Sequence, residues 1–165
     1  DGGFLMNDEM DDFSIKAGVP NAYGVIGNEA NEIAPGKRML SSMTPTILLR
    51  DSEVAMVLGT PGGSTIFTSV FQTIVNIFDF GMSPLEAVGA TRFHHQLLPP
   101  DLILTQPDSP LPEETLSLLG DRGYRTMDVW NFGDVQIIYD DGESVQAASD
   151  PRNRGQSRVI EPAEN

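Results

Sequence analysis

Cysteine is missing from all 165 residues, so disulfides and thiolate chemistry are excluded, although this does not fix the compartment. Basic residues are scarce: 10 Lys and Arg stand against 24 Asp and Glu, a formal net charge of −14. Nucleic-acid affinity rests on Lys and Arg neutralising phosphate, and anionic bilayers attract the same residues, so neither partner fits. High negative charge favours solubility and suits a saline habitat. No apolar run is long enough to span a bilayer. The only two histidines, His94 and His95, are adjacent. Their side chains project apart on a helix or a strand, and no third ligand stands at a recognisable spacing, so they read as structural or surface residues and no metal is expected. The chain begins Asp1-Gly2-Gly3-Phe4, without a Met, a signal peptide or a cap for a starting element, and reads as a piece of something longer.

What is present is organised around residues 60–80. Thr60-Pro61-Gly62-Gly63-Ser64-Thr65 follows an expected strand, and apolar side chains then recur at Ile66, Phe67, Val70, Phe71, Ile74, Val75, Ile77 and Phe78. That spacing is a wide helical stripe. A helix start leaves unpaired N–H groups with partial positive charge, and glycine lets them approach a ligand closely. Such a site suits an anion or an oxyanion formed during reaction. The other reading, which these residues alone favour, is a tight strand-to-helix turn that needs glycine for steric reasons.

Upstream, Phe4-Leu5-Met6 reads as a short strand, and Asp8, Glu9, Asp11 and Asp12 put four carboxylates in five residues. This run is either a solvated acidic loop or the first turn of a helix, and it repels itself unless a cation or donor group sits among the oxygens. It lacks the spaced ligands and glycine of a calcium loop. Residues 15–38 are rich in Gly, Pro, Asn and Ala and read as a long surface loop, with Tyr23 as either a partly buried anchor or a lid residue. Ser41 and Ser42 are ordinary turn residues on composition alone. Thr46 to Arg50 and Val54 to Gly59 read as a hairpin about Asp51-Ser52-Glu53. Gly81 stops the long helix. Ser83-Pro84-Leu85-Glu86 starts the next one with a capping box and runs to about Arg92. Leu102 to Thr105, Tyr124 to Val129, Asp134 to Tyr139 and Ser144 to Ala148 are expected strands, and Pro112 to Asp121 a short helix. Without repeat or linker, residues 1–165 read as one domain of α/β or α+β layered-sandwich class.

Four of these stretches, 7–14, 37–46, 59–64 and 91–96, together with Ala148-Ser149-Asp150-Pro151-Arg152, resemble in order and spacing the small subunit of γ-glutamyltransferase. The resemblance covers nearly the whole chain. It implies an N-terminal-nucleophile hydrolase fold, αββα, of which this would be an incomplete part. It also implies a zymogen that cuts itself into large and small subunits, with no cofactor. In the family, the new amino-terminal threonine attacks the γ-glutamyl carbonyl of glutathione or a related amide, and the acyl-enzyme passes glutamate to water or to an amino acid. A periplasmic or extracellular location goes with the family.

On this resemblance Gly62 and Gly63 match the oxyanion-hole glycines, and Ser41 and Ser42 the pair that binds the substrate α-carboxylate. Glu9 and Asp12 match the acceptors for the α-ammonium, and Tyr23 the gating residue of the lid loop. Only eight residues precede Glu9, whereas the family's threonine lies a few tens of residues upstream. The expectation is therefore a C-terminal portion of the small subunit, inactive alone, whose partners are the large subunit and the preceding part of its own subunit. Thr44 and Thr46 are in-chain and have no free α-amine to act as base. A related acylase or capsule-polymer transferase is an alternative, although a glutaryl substrate has no use for Glu9 and Asp12. A non-catalytic anion-binding or structural homologue is the other.

Overall fold

A computed structural model describes Gly3 and residues 7–130 and 132–160. The expected strand Phe4-Leu5-Met6 lies outside the described residues. Contacts divide the chain between Met43 and Thr44 into two units.

The first unit has little regular structure. Glu9–Asp12 forms one 3-10 turn and Glu29–Asn31 another, within the stretch expected to be loop. Asparagine side chains organise it. Asn28 Oδ1 accepts from Ala30 N, Asn21 Oδ1 accepts from Tyr23 N and Val25 N, and Asn31 Nδ2 donates to Asp12 O at 2.6 Å. Short amide side chains that bond nearby backbone are the usual means of holding a chain without helix or ladder. Isolated bridges join Ser14 to Glu32 and Pro20 to Ile26.

The second unit holds two sheets. Strands β1 (Thr46–Arg50) and β2 (Glu53–Gly59) form the expected hairpin. Asp51 and Ser52 both take positive φ, 52° and 72°, as a two-residue turn with the strand twist requires. Helix α1 (Ile66–Phe78) follows, preceded by a 3-10 turn at Gly63–Thr65. It ends where Gly81, at φ 67°, lets Met82 N donate back to Asn76 O. Helix α2 (Pro84–Gly89) has the full capping box between Ser83 and Glu86. Strands β3 (His94–His95), β4 (Leu102–Thr105) and β5 (Arg125–Asp128) form a three-stranded sheet in that order. β4 and β5 are parallel, so the chain must cross over between them, and α3 (Glu113–Asp121) is the crossover. β6 (Gln136–Asp140) and β7 (Val145–Ser149) complete a four-stranded antiparallel sheet of order β1-β2-β6-β7.

The alternation of side chains across this sheet sorts its faces. Met56, Leu58, Ile137 and Ala148 point into a core closed by Val70 and Ile77 of α1, Ala87 and Val88 of α2, and Val135. On the other face the cross-strand row Ile47, Val57 and Ile138 is exposed.

Helix α2 ends three residues before the expected Arg92. Ala90 turns to extended backbone, φ −62° and ψ 157°, and Arg92 enters the interior as a side chain at 1% exposure. There its Nη2 donates to Asp150 Oδ2 at 2.6 Å, and Asp150 is fully buried. Arg152 Nε donates to Asp150 Oδ1 at 2.8 Å, while Arg152 Nη1 reaches Gln106 Oε1 at 2.6 Å and Ala90 O at 3.3 Å. Burial pushes the Asp150 carboxyl up, but the bonds from Arg152 and Arg92 outweigh it and hold it below the usual carboxylate range. Burial, with Arg152 as a second positive charge, lowers the Arg92 guanidinium against the pull of Asp150. Because the folded carboxyl titrates below the unfolded one, its contribution to stability is present at neutral pH and is lost as pH falls through the folded pKa. Asp150→Asn is expected to cost about 3–5 kcal/mol, since it strands Arg92 without its counter-charge. Urea unfolding at pH 7 checks the cost, and the deficit relative to the parent should shrink at acid pH.

Candidate functional site

Two groups of candidate residues occupy the two units. In the first, the 3-10 turn Glu9–Asp12 presents its carboxylates to the segment that contains Ser41 and Ser42. Ser41 Oγ donates to Glu9 Oε1 at 3.1 Å, and Ser42 N donates to Asp12 Oδ2 at 3.0 Å. Residues 30 and 32 positions apart in sequence thus meet as two acid–donor pairs. Donors sit beside the carboxylates of Glu9 and Asp12, two of the four in the acidic run. Asp12, Ser41 and Ser42 line an open cavity of about 640 Å³, together with Asn21 and Asn31 among others. Glu9 and Tyr23 are not among its walls. Tyr23 is 49% exposed in the turn that Asn21 caps. No cluster of three or more potential metal-ligating side chains occurs among the described residues.

In the second unit β2 delivers the chain at Gly59 into the glycine turn. Gly62 has φ 143° and Gly63 φ 57°, conformations that L side chains rarely adopt. A Cβ on Gly62 would stand 2.7 Å from Thr65 Oγ1 and 3.4 Å from the backbone of Gly133. The turn is therefore sterically tight, as one reading of the sequence has it, and it also ends in a helix N-terminus. Gly62 O accepts from Thr65 N at 3.1 Å and from Thr65 Oγ1 at 3.0 Å. Among the described residues no acceptor sits on the N–H groups of Gly62 or Gly63.

The neighbours of this turn are not evident in the sequence. Thr60 Oγ1 donates to Pro61 O at 2.7 Å and accepts from Asp134 N at 2.7 Å. Ser69 Oγ donates to Phe132 O at 3.3 Å. The available signal is a Gly-Asp pair just ahead of an expected strand, which marks a close approach of backbone but not its target. The histidines are structural. His94, 1% exposed, lies between Thr68 Oγ1 at 2.9 Å and Gln96 Oε1 at 2.5 Å.

A family model described as Gamma-glutamyltranspeptidase matches residues 1–160. The chain belongs to the gamma-glutamyltranspeptidase family. It is 55% identical over 161 residues to the glutathione hydrolase proenzyme of Pseudomonas aeruginosa, covering 97% of this chain and 29% of that protein. With the glutathione hydrolase proenzyme of Escherichia coli it shares 47% identity over 153 residues, 92% of this chain and 26% of the relative. The chain thus spans between a quarter and a third of the length of these relatives. Among solved structures, a W525D mutant of the gamma-glutamyltranspeptidase from Pseudomonas nitroreducens superposes with a TM-score of 0.90 at 53% identity, over 98% of this chain and 84% of that one. The mixed sheets and helices are accordingly part of an N-terminal-nucleophile hydrolase fold. That family is one of enzymes.

Gly62→Ala is expected to destabilise the second unit by about 1–3 kcal/mol, because φ 143° is costly for a residue with a Cβ and Thr65 Oγ1 must also move. A shift in the urea midpoint of that size checks it, whereas Gly120→Ala, with open space and ordinary φ, should be neutral or stabilising.

Proposed function

We propose that the protein to which this chain belongs cleaves γ-glutamyl amides such as glutathione and passes the glutamyl group to water, amino acids or peptides. The observation that carries this reading is the meeting of Glu9 with Ser41 and of Asp12 with Ser42, in a chain 55% identical to a glutathione hydrolase proenzyme. An α-amino acid presents an ammonium and a carboxylate on one carbon. Carboxylate acceptors beside hydroxyl and N–H donors match that pair of charges, and charge-assisted hydrogen bonds are the strong ones. On this reading Glu9 and Asp12 receive the α-ammonium, Ser41 and Ser42 the α-carboxylate, and Tyr23 belongs to a lid.

Gly62 and Gly63 supply the oxyanion donors. Their N–H groups act when the γ-carbonyl oxygen becomes tetrahedral and negative, which is where fixed donors lower a barrier most. No residue of the chain acts as nucleophile in this proposal. An amino-terminal threonine from an earlier part of the same precursor attacks, with its own α-amine as base. The partners are that part and the large subunit, the reaction needs no cofactor, and the location is periplasmic or extracellular.

Asp12→Asn in the full-length protein is expected to lower kcat/KM for a γ-glutamyl anilide by about 10- to 150-fold, the worth of a hydrogen bond to a charged group at roughly 1.5–3 kcal/mol. The neutral amide keeps the size and offers a donor where an acceptor is needed. The matched glutaryl anilide, which lacks the ammonium, should lose little. Adding Glu9→Gln should deepen the γ-glutamyl loss. Equal losses on both substrates would remove Asp12 from the site and return the glutaryl acylase reading to equal standing.

A further inference from the structure

We infer that the hydroxyls of Thr60 and Thr65 aim the two N–H groups of the glycine turn, each by holding the carbonyl at the other end of the same peptide bond. The inference rests on the oxyanion role proposed for Gly62 and Gly63 and adds two positioning residues to it.

A trans peptide is planar, and its C=O and N–H point in opposite directions. The only cis peptide among the described residues is Leu98–Pro99, so the two peptides in question are trans. Pro61 C=O shares a plane with Gly62 N–H, and Gly62 C=O shares a plane with Gly63 N–H. Fixing each oxygen therefore fixes the direction of the N–H on its far side. Glycine on its own gives little such control, since positive-φ glycines rotate freely where an L side chain would restrict them. Gly62 at φ 143° and Gly63 at φ 57° are two of these in succession.

Each oxygen is held by a threonine. Thr60 Oγ1 donates to Pro61 O at 2.7 Å. That hydroxyl is itself oriented, because Asp134 N donates to it at 2.7 Å and so leaves its single proton for Pro61 O. The 132–134 backbone stands close behind: a Cβ on Gly133, at φ 88°, would come within 2.3 Å of Thr60 Oγ1 and 2.5 Å of Pro61 O. Thr65 Oγ1 donates to Gly62 O at 3.0 Å, and Thr65 N donates to the same oxygen at 3.1 Å. Thr65 is 5% exposed, so water does not compete for that bond. The first plane thus depends on one hydroxyl, and the second on a hydroxyl with a backbone bond in support.

The asymmetry sets the test. In the full-length, processed protein, with a γ-glutamyl anilide as substrate and rates counted per processed small subunit, Thr60→Val should lower kcat about 10- to 100-fold with KM unchanged, the usual effect of a small misplacement of catalytic groups. Thr60→Ser keeps the hydroxyl and should restore kcat. Thr65→Val should cost less, because Thr65 N still holds Gly62 O. Gly63→Val, run beside them, should lower kcat about 10²- to 10³-fold. Normal kcat in Thr60→Val, a change confined to KM, or a Thr60→Ser variant as impaired as the valine overturns the inference. If Thr60→Val yields no processed protein, Thr65→Val decides: a lowered kcat upholds the inference, and an unchanged one overturns it. Gly63→Val separates the two layers. Unaltered kcat in that variant defeats the oxyanion role itself, whereas a large loss there with none in Thr60→Val defeats only the positioning role.

Discussion

The buried carboxylate of Asp150 is the constraint on which the second unit depends. It sits at the end of β7 and takes guanidinium groups from Arg92, which enters just after α2, and from Arg152, two residues further on. Arg152 then spends its remaining donors on Val88 O, Ala90 O and Gln106 Oε1. One carboxylate thereby fixes the exit of α2, the exit of β7 and the turn after β4 in a common frame. Two cations on one anion leave a net positive charge around a carboxylate that is itself fully buried, and backbone carbonyls, Asp134 and the partial exposure of Arg152 offset it in part. The arrangement is costly to take apart rather than strongly favourable in itself, because either partner left alone is an uncompensated buried charge.

That frame matters for the glycine turn because of sheet register. β2 pairs with β6 so that Gly59 faces Gln136. The segment leaving β2 and the segment entering β6 therefore leave the sheet side by side, and 60–63 must run against 132–135. Side chains would hold the two backbones apart, and glycine at 62 and 133 removes that obstacle. Asp150 N also donates to Val135 O at 3.0 Å, so the same aspartate that anchors α2 anchors the start of β6. Register, burial and turn conformation act as a single device here, even though the contacts come from three distant parts of the chain.

The features legible in the sequence are those with a local cause. The hairpin of β1 and β2, the capping box of Ser83 and Glu86, the glycine stop at Gly81 and the apolar stripe of α1 all declare themselves within a few residues. α2 reads too long because residues 90–92 have no helix-breaking composition, and only the distant Asp150 pulls Arg92 out of the helical path. The loop of residues 15–38 reads as irregular because its order comes from asparagine bonds rather than from periodicity. Among candidate site residues, the acids and serines stand out by type, but their pairing over 30 positions follows only from the fold. Thr60 and Thr65 carry no signal at all, since threonine in a turn is common and its partners are backbone atoms.

The acid–serine constellation has a charge requirement of its own. Glu9 and Asp12 bring two negative charges, and the donors they meet, a hydroxyl and a backbone N–H, are neutral. Neither exposed Lys37, bonded to Ala30 O and Glu32 O, nor any other cation forms an ion pair with them among the described residues. On the proposed reading this imbalance is what selects an ammonium, since the first charge such a site attracts is positive. It also leaves the substrate carboxylate with neutral donors beside two anions, which repel it. On the proposed reading, that repulsion is met by positive charge from outside these residues.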